Sequence, residues 1–198
     1  MSLLPYASLT HRRRAYRDAI GTEIALLDTQ TATGSTSISF TAKITSKYRE
    51  YLFRFYTINP ATNDQNFTFQ TSTDGGSNYN LNTTSTFFRA KHEEDDNPAR
   101  VDYESGYDFA DSTSFIRLGV GIGNGADEHL AGELHLFNPA STVYNKNFYA
   151  RTVMYHENDG VWDNFIGGFV NSTSDIDAIQ FKMESGAFDG VIKMWGIP

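Results

Sequence analysis

Alternation of apolar and polar residues with a period of two dominates this sequence and restricts it to a fold built from β-strands. Residues 37–42 alternate strictly, and aromatic rings occupy positions 51, 53 and 55. Successive side chains of a strand point to opposite faces of its sheet, so this spacing directs one set of residues into a core. Turn-forming pairs such as Asn138-Pro139 and Gly75-Gly76 separate these segments.

Aromatic residues supply most of the apolar area that the fold can bury. Phe, Tyr and Trp make up 14% of the 198 residues, whereas all hydrophobic residues together make up 39%. Each buried ring removes a large area from water, so a single core is within reach of this chain. We predict an all-β fold, an antiparallel β-sandwich of jelly-roll type, with a short helical or extended N-terminal arm. Residues 1–21 form the arm, and residues 22–198 form the sandwich domain.

The alternation predicts about ten short strands. The predicted strand segments are 38–42, 51–56, 67–69, 83–89, 114–118, 130–137, 147–155, 162–170, 178–183 and 191–197. We expect a hairpin turn at Asp74-Gly75-Gly76, with Thr83 to Arg89 as the return strand. Residues 91–111 carry a net charge of −6 and are expected to form a long surface excursion between strands.

The first 21 residues differ from the rest in charge. Arg12, Arg13, Arg14 and Arg17 against Asp18 give this arm a net charge of +3 and leave −11 for residues 22–198. A helix this short is marginal alone in water, so we expect the arm to order on its own domain or on a partner. Arginine pairs bidentately with carboxylates, which makes these four residues the candidates for docking on an acidic partner surface.

Composition excludes several classes of protein. The chain has no cysteine, which excludes disulfides, thiolate metal sites and a cysteine nucleophile. The net charge of −8 argues against nucleic-acid binding, and no apolar run is long enough to predict a membrane span. The cations of the N-terminus follow its short apolar patch, the reverse of a secretory signal, so we expect synthesis in a cytoplasm.

Two motifs suggest ligand sites on superficial grounds. The run from His92 to Asp96 contains four consecutive carboxylates, but it lacks the ligand spacing of a calcium loop. A solvated acidic loop is the favoured interpretation, with a structural cation as the alternative. Glycines 119, 121, 123 and 125 alternate without a following helix or a Walker lysine, so they predict close approach of two strands or of a neighbouring subunit instead of a phosphate cradle.

Catalytic motifs do not emerge from the sequence. Glu133 and His135 share one face of a predicted strand, and Asp163 has no predicted neighbour, so no nucleophile–base pair is defined. We therefore predict a protein that is not an enzyme, with no metal and no cofactor. Trp162, Tyr107 and Tyr155 lie near turns and are the candidates for stacking on the rings of a glycan.

Four segments of the chain carry a resemblance to known proteins: residues 48–80, GELHLFNPAST (132–142), residues 165–190 and the C-terminal VIKMWGI (191–197). They resemble a family of predicted virion structural proteins from tailed bacteriophages, especially aquatic ones, and VIKMWGI resembles that family's closing G-x-I-x-L-Y-G-I motif. Met194-Trp195 replaces the usual Leu-Tyr, which keeps an aromatic ring. The resemblance implies a component of the virion.

The resemblance and the charge distribution lead to two functional hypotheses. The first is a capsid decoration or cement protein that stabilises the mature shell, acts as a homo-oligomer, with a trimer favoured, and binds the major capsid protein or other virion proteins. The second is a tail-fibre or tail-tip module that binds a host surface glycan. A fibre tip usually follows a long shaft, so the short arm favours decoration.

Overall fold

A computed structural model describes residues 23–96 and 99–198, and within these ranges the chain forms thirteen β-strands. The strands are β1 (Ala25–Ser35), β2 (Ile38–Phe40), β3 (Glu50–Pro60), β4 (Gln65–Ser72), β5 (Thr83–Glu93), β6 (Arg100–Tyr103), β7 (Phe109–Ser112), β8 (Ile116–Ile122), β9 (Leu130–Phe137), β10 (Lys146–His156), β11 (Gly160–Val170), β12 (Ala178–Met183) and β13 (Phe188–Ile197). The predicted basic arm, with Arg12, Arg13, Arg14 and Arg17, lies outside the described residues.

All strand pairs are antiparallel and belong to one continuous sheet, which folds over between β10 and β8 into two facing layers. The larger layer has the order β1-β13-β3-β9-β10-β11-β5, with β6 and β7 paired to the outer edge of β5. The smaller layer has the order β8-β4-β12-β2. One residue pair, His156 with Ile122, joins the layers on one side. On the other side the Gln30 side chain donates to the Ser39 carbonyl, 2.9 Å away.

The strand order identifies a jelly roll with two insertions. When β5–β7 and β10–β11 are set aside, the remaining eight strands have the orders 1-8-3-6 and 2-7-4-5 in chain sequence. This is the arrangement that two interlocking Greek keys produce. The two insertions pair with each other along the full length of β11 and β5, and they widen the larger layer beyond the four strands of the jelly roll. The predicted all-β sandwich of jelly-roll type is confirmed.

The core between the layers is aromatic, as the composition predicts. Phe181 on β12 lies at its centre, fully buried, and its ring is within 6.3 Å of five other phenylalanine rings. Those rings come from both layers: Phe40, Phe67 and Phe69 from the smaller one, Phe53 and Phe55 from the larger one. Aromatic pairs at such separations contribute beyond the area they bury.

Two sequence-based predictions about the middle of the chain are wrong. The glycines at 75 and 76 do have positive φ, but β5 is not the return strand of β4, because β5 pairs with β11 in the other layer. The acidic segment 91–111 is not entirely a surface excursion. Its first residues extend β5, and β6 and β7 lie within it, because the free edge of β5 supplies hydrogen-bond partners that outweigh the low strand propensity of acidic residues.

The other predicted strands are present, with ends that differ by a few residues, and β1 is an addition that the sequence analysis did not assign. The glycines of β8 serve the predicted close approach. At Gly121 a Cβ atom would lie 2.5 Å from His156 Nε2, and at Gly119 it would collide with the Leu130 side chain. Within residues 23–96 and 99–198 there is no helix of the length and apolarity needed to cross a membrane.

Candidate functional site

Trp162, the first candidate for glycan stacking, is buried, so its predicted role as an exposed platform is not supported by its position. It is 5% exposed and points into the protein from β11. His156 on β10 stacks on its ring at 3.5 Å between centroids, and the Arg89 guanidinium carbon on β5 lies 3.5 Å from its centroid. Because β11 lies between β10 and β5, the two neighbours approach Trp162 from both sides. Glu104 holds Arg89 through a 2.7 Å ion pair.

The other two candidates, Tyr107 and Tyr155, do not join Trp162 in a common open site. Tyr107 is half-buried, edge-on to the Phe87 ring at 5.5 Å. Tyr155 is also half-buried, and its hydroxyl lies 3.2 Å from Asp159 Oδ1 and 3.4 Å from Glu94 Oε1. Burial and these two carboxylates raise the pKa of Tyr155 to about 12.

The acidic run that begins at His92 surrounds a shallow hollow of about 310 Å³ next to Tyr155. Among residues 23–96 and 99–198, no group of three or more histidine and carboxylate side chains is arranged to hold a metal ion. The geometry therefore gives the cation alternative no support. His92 instead pairs with Asp96 across 2.9 Å on the exposed surface.

Glu133, His135 and Asp163 all lie on the outer face of the larger layer, the face turned away from the core. His135 Nδ1 bonds to Glu50, and His135 Nε2 lies 3.4 Å from Glu133 Oε1. Asp163 accepts two hydrogen bonds from Arg151, at 3.0 and 2.6 Å. This pairing raises the pKa of the Arg151 guanidinium above its ordinary value. Glu133 and Asp163 each contact an arginine, and His135 contacts two carboxylates, which suits a structural surface.

The outer face is organised in rows that cross the strands at right angles. One row runs through eight strands, because each of its residues lies directly opposite the next one on the neighbouring strand. It contains Tyr103, Phe88, Phe165, Arg151, Glu133, Arg54, Lys193 and Thr29. Phe88 and Phe165 stack in parallel at 4.9 Å, and the Arg151 guanidinium lies 5.0 Å from the Phe165 centroid. Arg54 contacts Glu133 at 3.6 Å.

Apolar side chains occupy much of the remaining outer face. Next to the charged row, Tyr149 stacks on His135 at 4.4 Å, and burial together with Glu50 and Glu133 raises the pKa of the Tyr149 hydroxyl. The large side chains exposed on this face are Tyr56, Phe88, Val101, Tyr103, Tyr149, Val153 and Val161. The outer face of an antiparallel sheet in a sandwich is normally polar, so such a set indicates an interaction surface.

A shallow hollow of about 360 Å³ opens in the outer face where the register of β3 and β9 shifts. Thr57 has a φ of 48° at this bulge, and Gly132 opposite has no side chain. Tyr56, Arg54, Glu133 and Arg151 line the hollow. An aromatic ring with charged groups around it has the chemistry to bind a small polar ligand.

The comparisons with known proteins add no relative. No protein-family model, curated protein or solved structure matches this chain. The resemblance to phage virion proteins therefore stays a prediction, and the function must be argued from the surface itself.

Sequence reasoning missed the outer face, although a signal was present in the strand patterns. β10 and β11 carry apolar residues at both sets of alternating positions: Met154 and Trp162 point inward, while Val153, Val161 and Phe165 point outward. Two-sided apolar strands are typical of sheets that are covered on both faces.

Proposed function

We propose that this protein is a non-enzymatic structural component of a tailed-bacteriophage particle, a capsid decoration or cement protein that stabilises the mature shell. The mechanism is mass action, because a protein that binds the mature shell and not its looser form shifts the equilibrium towards the mature one. Such a role needs surfaces that bind other proteins. The outer face of the larger layer and the cationic arm are the two candidates.

The outer face of the larger layer is the observation that carries this proposal. It exposes rings and branched aliphatic side chains on a broad surface, and Arg54, Arg151, Glu133 and Asp163 are already paired within the chain. A surface of this kind suits protein–protein contact better than catalysis, since a reaction site concentrates unpaired reactive groups in a cleft. The proposed location in a virion rests in addition on the resemblance of residues 48–80 and the C-terminal motif to phage structural proteins.

The opposite net charges of the arm and the body support different roles for the two parts. The arm has a net charge of +3, and residues 22–198 carry −11. We assign docking on an acidic shell to Arg12, Arg13, Arg14 and Arg17, because guanidinium groups bind carboxylates with good geometry. The acidic body discourages adhesion to nucleic acid and anionic surfaces.

The number of copies per particle tests the proposal directly. Quantitative mass spectrometry of purified virions, calibrated on the major capsid protein, is expected to find near-stoichiometric amounts. A small fraction would locate the protein at the tail or at a vertex and would favour receptor binding. Absence from the particle would overturn the virion proposal.

Charge reversal in the arm is expected to abolish incorporation into particles. In the variant R12E/R13E/R14E the arm is acidic and is repelled by the shell that it docks on. The matched control is K47E/R49E/R100E, which changes the net charge by the same amount at exposed positions of the body. Copy number per virion is the readout. Wild-type occupancy of the arm variant, or equal loss in both variants, would refute arm-specific docking.

The hollow beside Tyr56 keeps the second hypothesis open, a tail module that binds a host glycan. If the hollow is a sugar site, the wild-type protein binds host cells saturably, and Tyr56→Ala lowers that binding at least about tenfold by removing the stacking ring. Trp162→Ala is not an informative variant here, since that ring is buried. A glycan array without signal for the intact protein would contradict this hypothesis.

A further inference from the structure

We propose that the outer face of the larger layer is the contact between two copies of this chain, which pack face to face about a twofold axis. The contact is isologous: the same patch serves both copies. The inference names a second copy of this chain as the protein that covers the outer face, and it leaves docking on the shell to the basic arm. Its test uses the purified protein, so its failure is distinguishable from failure of the virion proposal.

The size of the face fits a stable pair. Seven long strands lie side by side in the larger layer. With about 4.8 Å between strands, the face is about 30 Å wide, and four outward residues per strand make it about 27 Å long. The area is about 800 Å², the amount that each partner contributes to a standard protein interface. Stacked sheets also pack readily at about 10 Å when their side chains interdigitate.

The charges of the face allow a second acidic copy to approach. Residues 22–198 carry −11, so two bodies repel each other over most of their surface. On the outer face the central positive side chains Arg54, Arg151 and Lys193 are balanced by Glu50, Glu133 and Asp163. These six charges cancel, so the centre of the face does not oppose the approach of a second acidic copy.

The order of the charges is also self-complementary. Arg151, Glu133 and Arg54 follow one another on β10, β9 and β3, so the sign alternates from strand to strand. A twofold axis parallel to the strands, between β9 and β10, sets Glu133 of each copy opposite Arg151 of the other, and Arg54 of each copy opposite the Phe165 ring of the other. Complementary charges of this kind fix the register of an interface.

Two consequences separate this inference from the earlier expectations. A face-to-face pair produces an even number of subunits, unlike the trimer that the sequence analysis favoured. It also covers the hollow beside Tyr56, so glycan binding there and pairing are alternative uses of one surface.

The oligomeric mass of the full-length protein tests the inference, with a lysine introduced at the centre of the face. Val153 is 42% exposed on β10 and stands opposite Asp163. In Val153→Lys the new ammonium group lies beside that carboxylate in the monomer, but it is buried against an apolar surface in the pair. We expect a dimer for the wild type by sedimentation equilibrium, and a dissociation constant raised at least about a hundredfold for the variant.

A second variant and a matched control complete the set. Val161→Lys changes another exposed valine of the face, 48% exposed on β11, and is expected to weaken the pair as well. Val143→Lys makes the same change at a valine that is 68% exposed in the β9–β10 connection, and it should leave the dissociation constant unchanged. A monomeric or trimeric wild type would overturn the inference, as would a dimer that neither face variant weakens.

Tyrosine labelling of the wild type gives a readout that needs no variant. Tyr149 is 47% exposed on the face, and Tyr144 is 73% exposed away from it. A tyrosine-selective reagent should modify Tyr149 more slowly at high protein concentration than at high dilution, with Tyr144 unaffected. Equal labelling of Tyr149 at both concentrations, with a dimer present, would place the contact elsewhere and refute the inference.

Discussion

Phe181→Ala is expected to lower the free energy of unfolding by about 4 kcal/mol. The Phe181 side chain is fully buried at the centre of the sandwich, where rings from both layers converge on it. Removing it leaves a cavity that neighbouring strands cannot close, because each is fixed by its own ladder of hydrogen bonds. Dispersion contacts and aromatic pair geometry are lost together.

Urea denaturation at neutral pH measures this effect. Tyr144→Ala is the matched control, since it removes a ring that is 73% exposed, and it should change the free energy of unfolding by no more than about 0.5 kcal/mol. If Phe181→Ala does not fold, Phe181→Leu should still show a loss of about 1 to 2 kcal/mol. A loss below about 1 kcal/mol for the alanine variant would mean that the rings do not form one continuous core.

Mild acid is expected to destabilise the protein through His156. This side chain is 5% exposed, stacked on Trp162, and its Nδ1 accepts a hydrogen bond from the Asn158 backbone amide at 3.1 Å. Burial lowers the pKa of His156 to about 4 from its ordinary 6.5. Glu93 and Asp64 act against this decrease, while Arg89 and Lys91 add to it.

The direction of the effect follows from which state binds the proton. Above pH 6.5 His156 is neutral in both the folded and the unfolded chain, so its titration does not change the free energy of unfolding there. Between pH 6.5 and about 4 the unfolded chain binds a proton on His156 that the folded chain does not bind. The free energy of unfolding therefore decreases as the pH decreases. This difference in the pKa of His156 lowers the free energy of unfolding by at most about 3 kcal/mol.

Urea denaturation at pH 7.5 and at pH 4.5 measures the loss of stability, and the fluorescence of Trp162, recorded in a Trp195→Phe background, reports on the stack. His156→Phe keeps a planar ring on Trp162 but cannot titrate, so its stability should change much less between the two pH values. The control is His129→Phe, at an exposed histidine, which should keep the wild-type pH dependence. An unchanged pH dependence in His156→Phe would assign the acid sensitivity to other groups.

Asp74 titrates in a lower pH range, so it does not obscure the effect of His156 on stability. Hydrogen bonds from Ser72 and Asn78 lower its pKa to about 2 from 3.8. A carboxylate with a lowered pKa loses its contribution as pH falls from 3.8 towards 2. The pH windows of Asp74 and His156 are therefore separate.

The buried stack also shows why the predicted binding residues were only partly useful. A tryptophan near a turn has no sequence mark that distinguishes a core position from an exposed one. Trp162 becomes buried because the cross-strand registers bring His156 and Arg89 to its two sides, and Arg89 is 73 residues away from Trp162 in the chain. Glu133 and Asp163 meet their partners for the same reason.

The class of fold, most of the strands and the difference in charge between arm and body are predictable from the sequence. Alternation with a period of two, aromatic content and turn residues are local properties, so they can be read without knowledge of the chain's path. Only the tertiary structure decided which strands pair, that β5 joins β11 instead of β4, and that β6 and β7 form in the acidic segment. The outer face belongs to the same group, because its rows exist only where the registers of eight strands coincide, and register is set by contacts between residues that are distant in the chain.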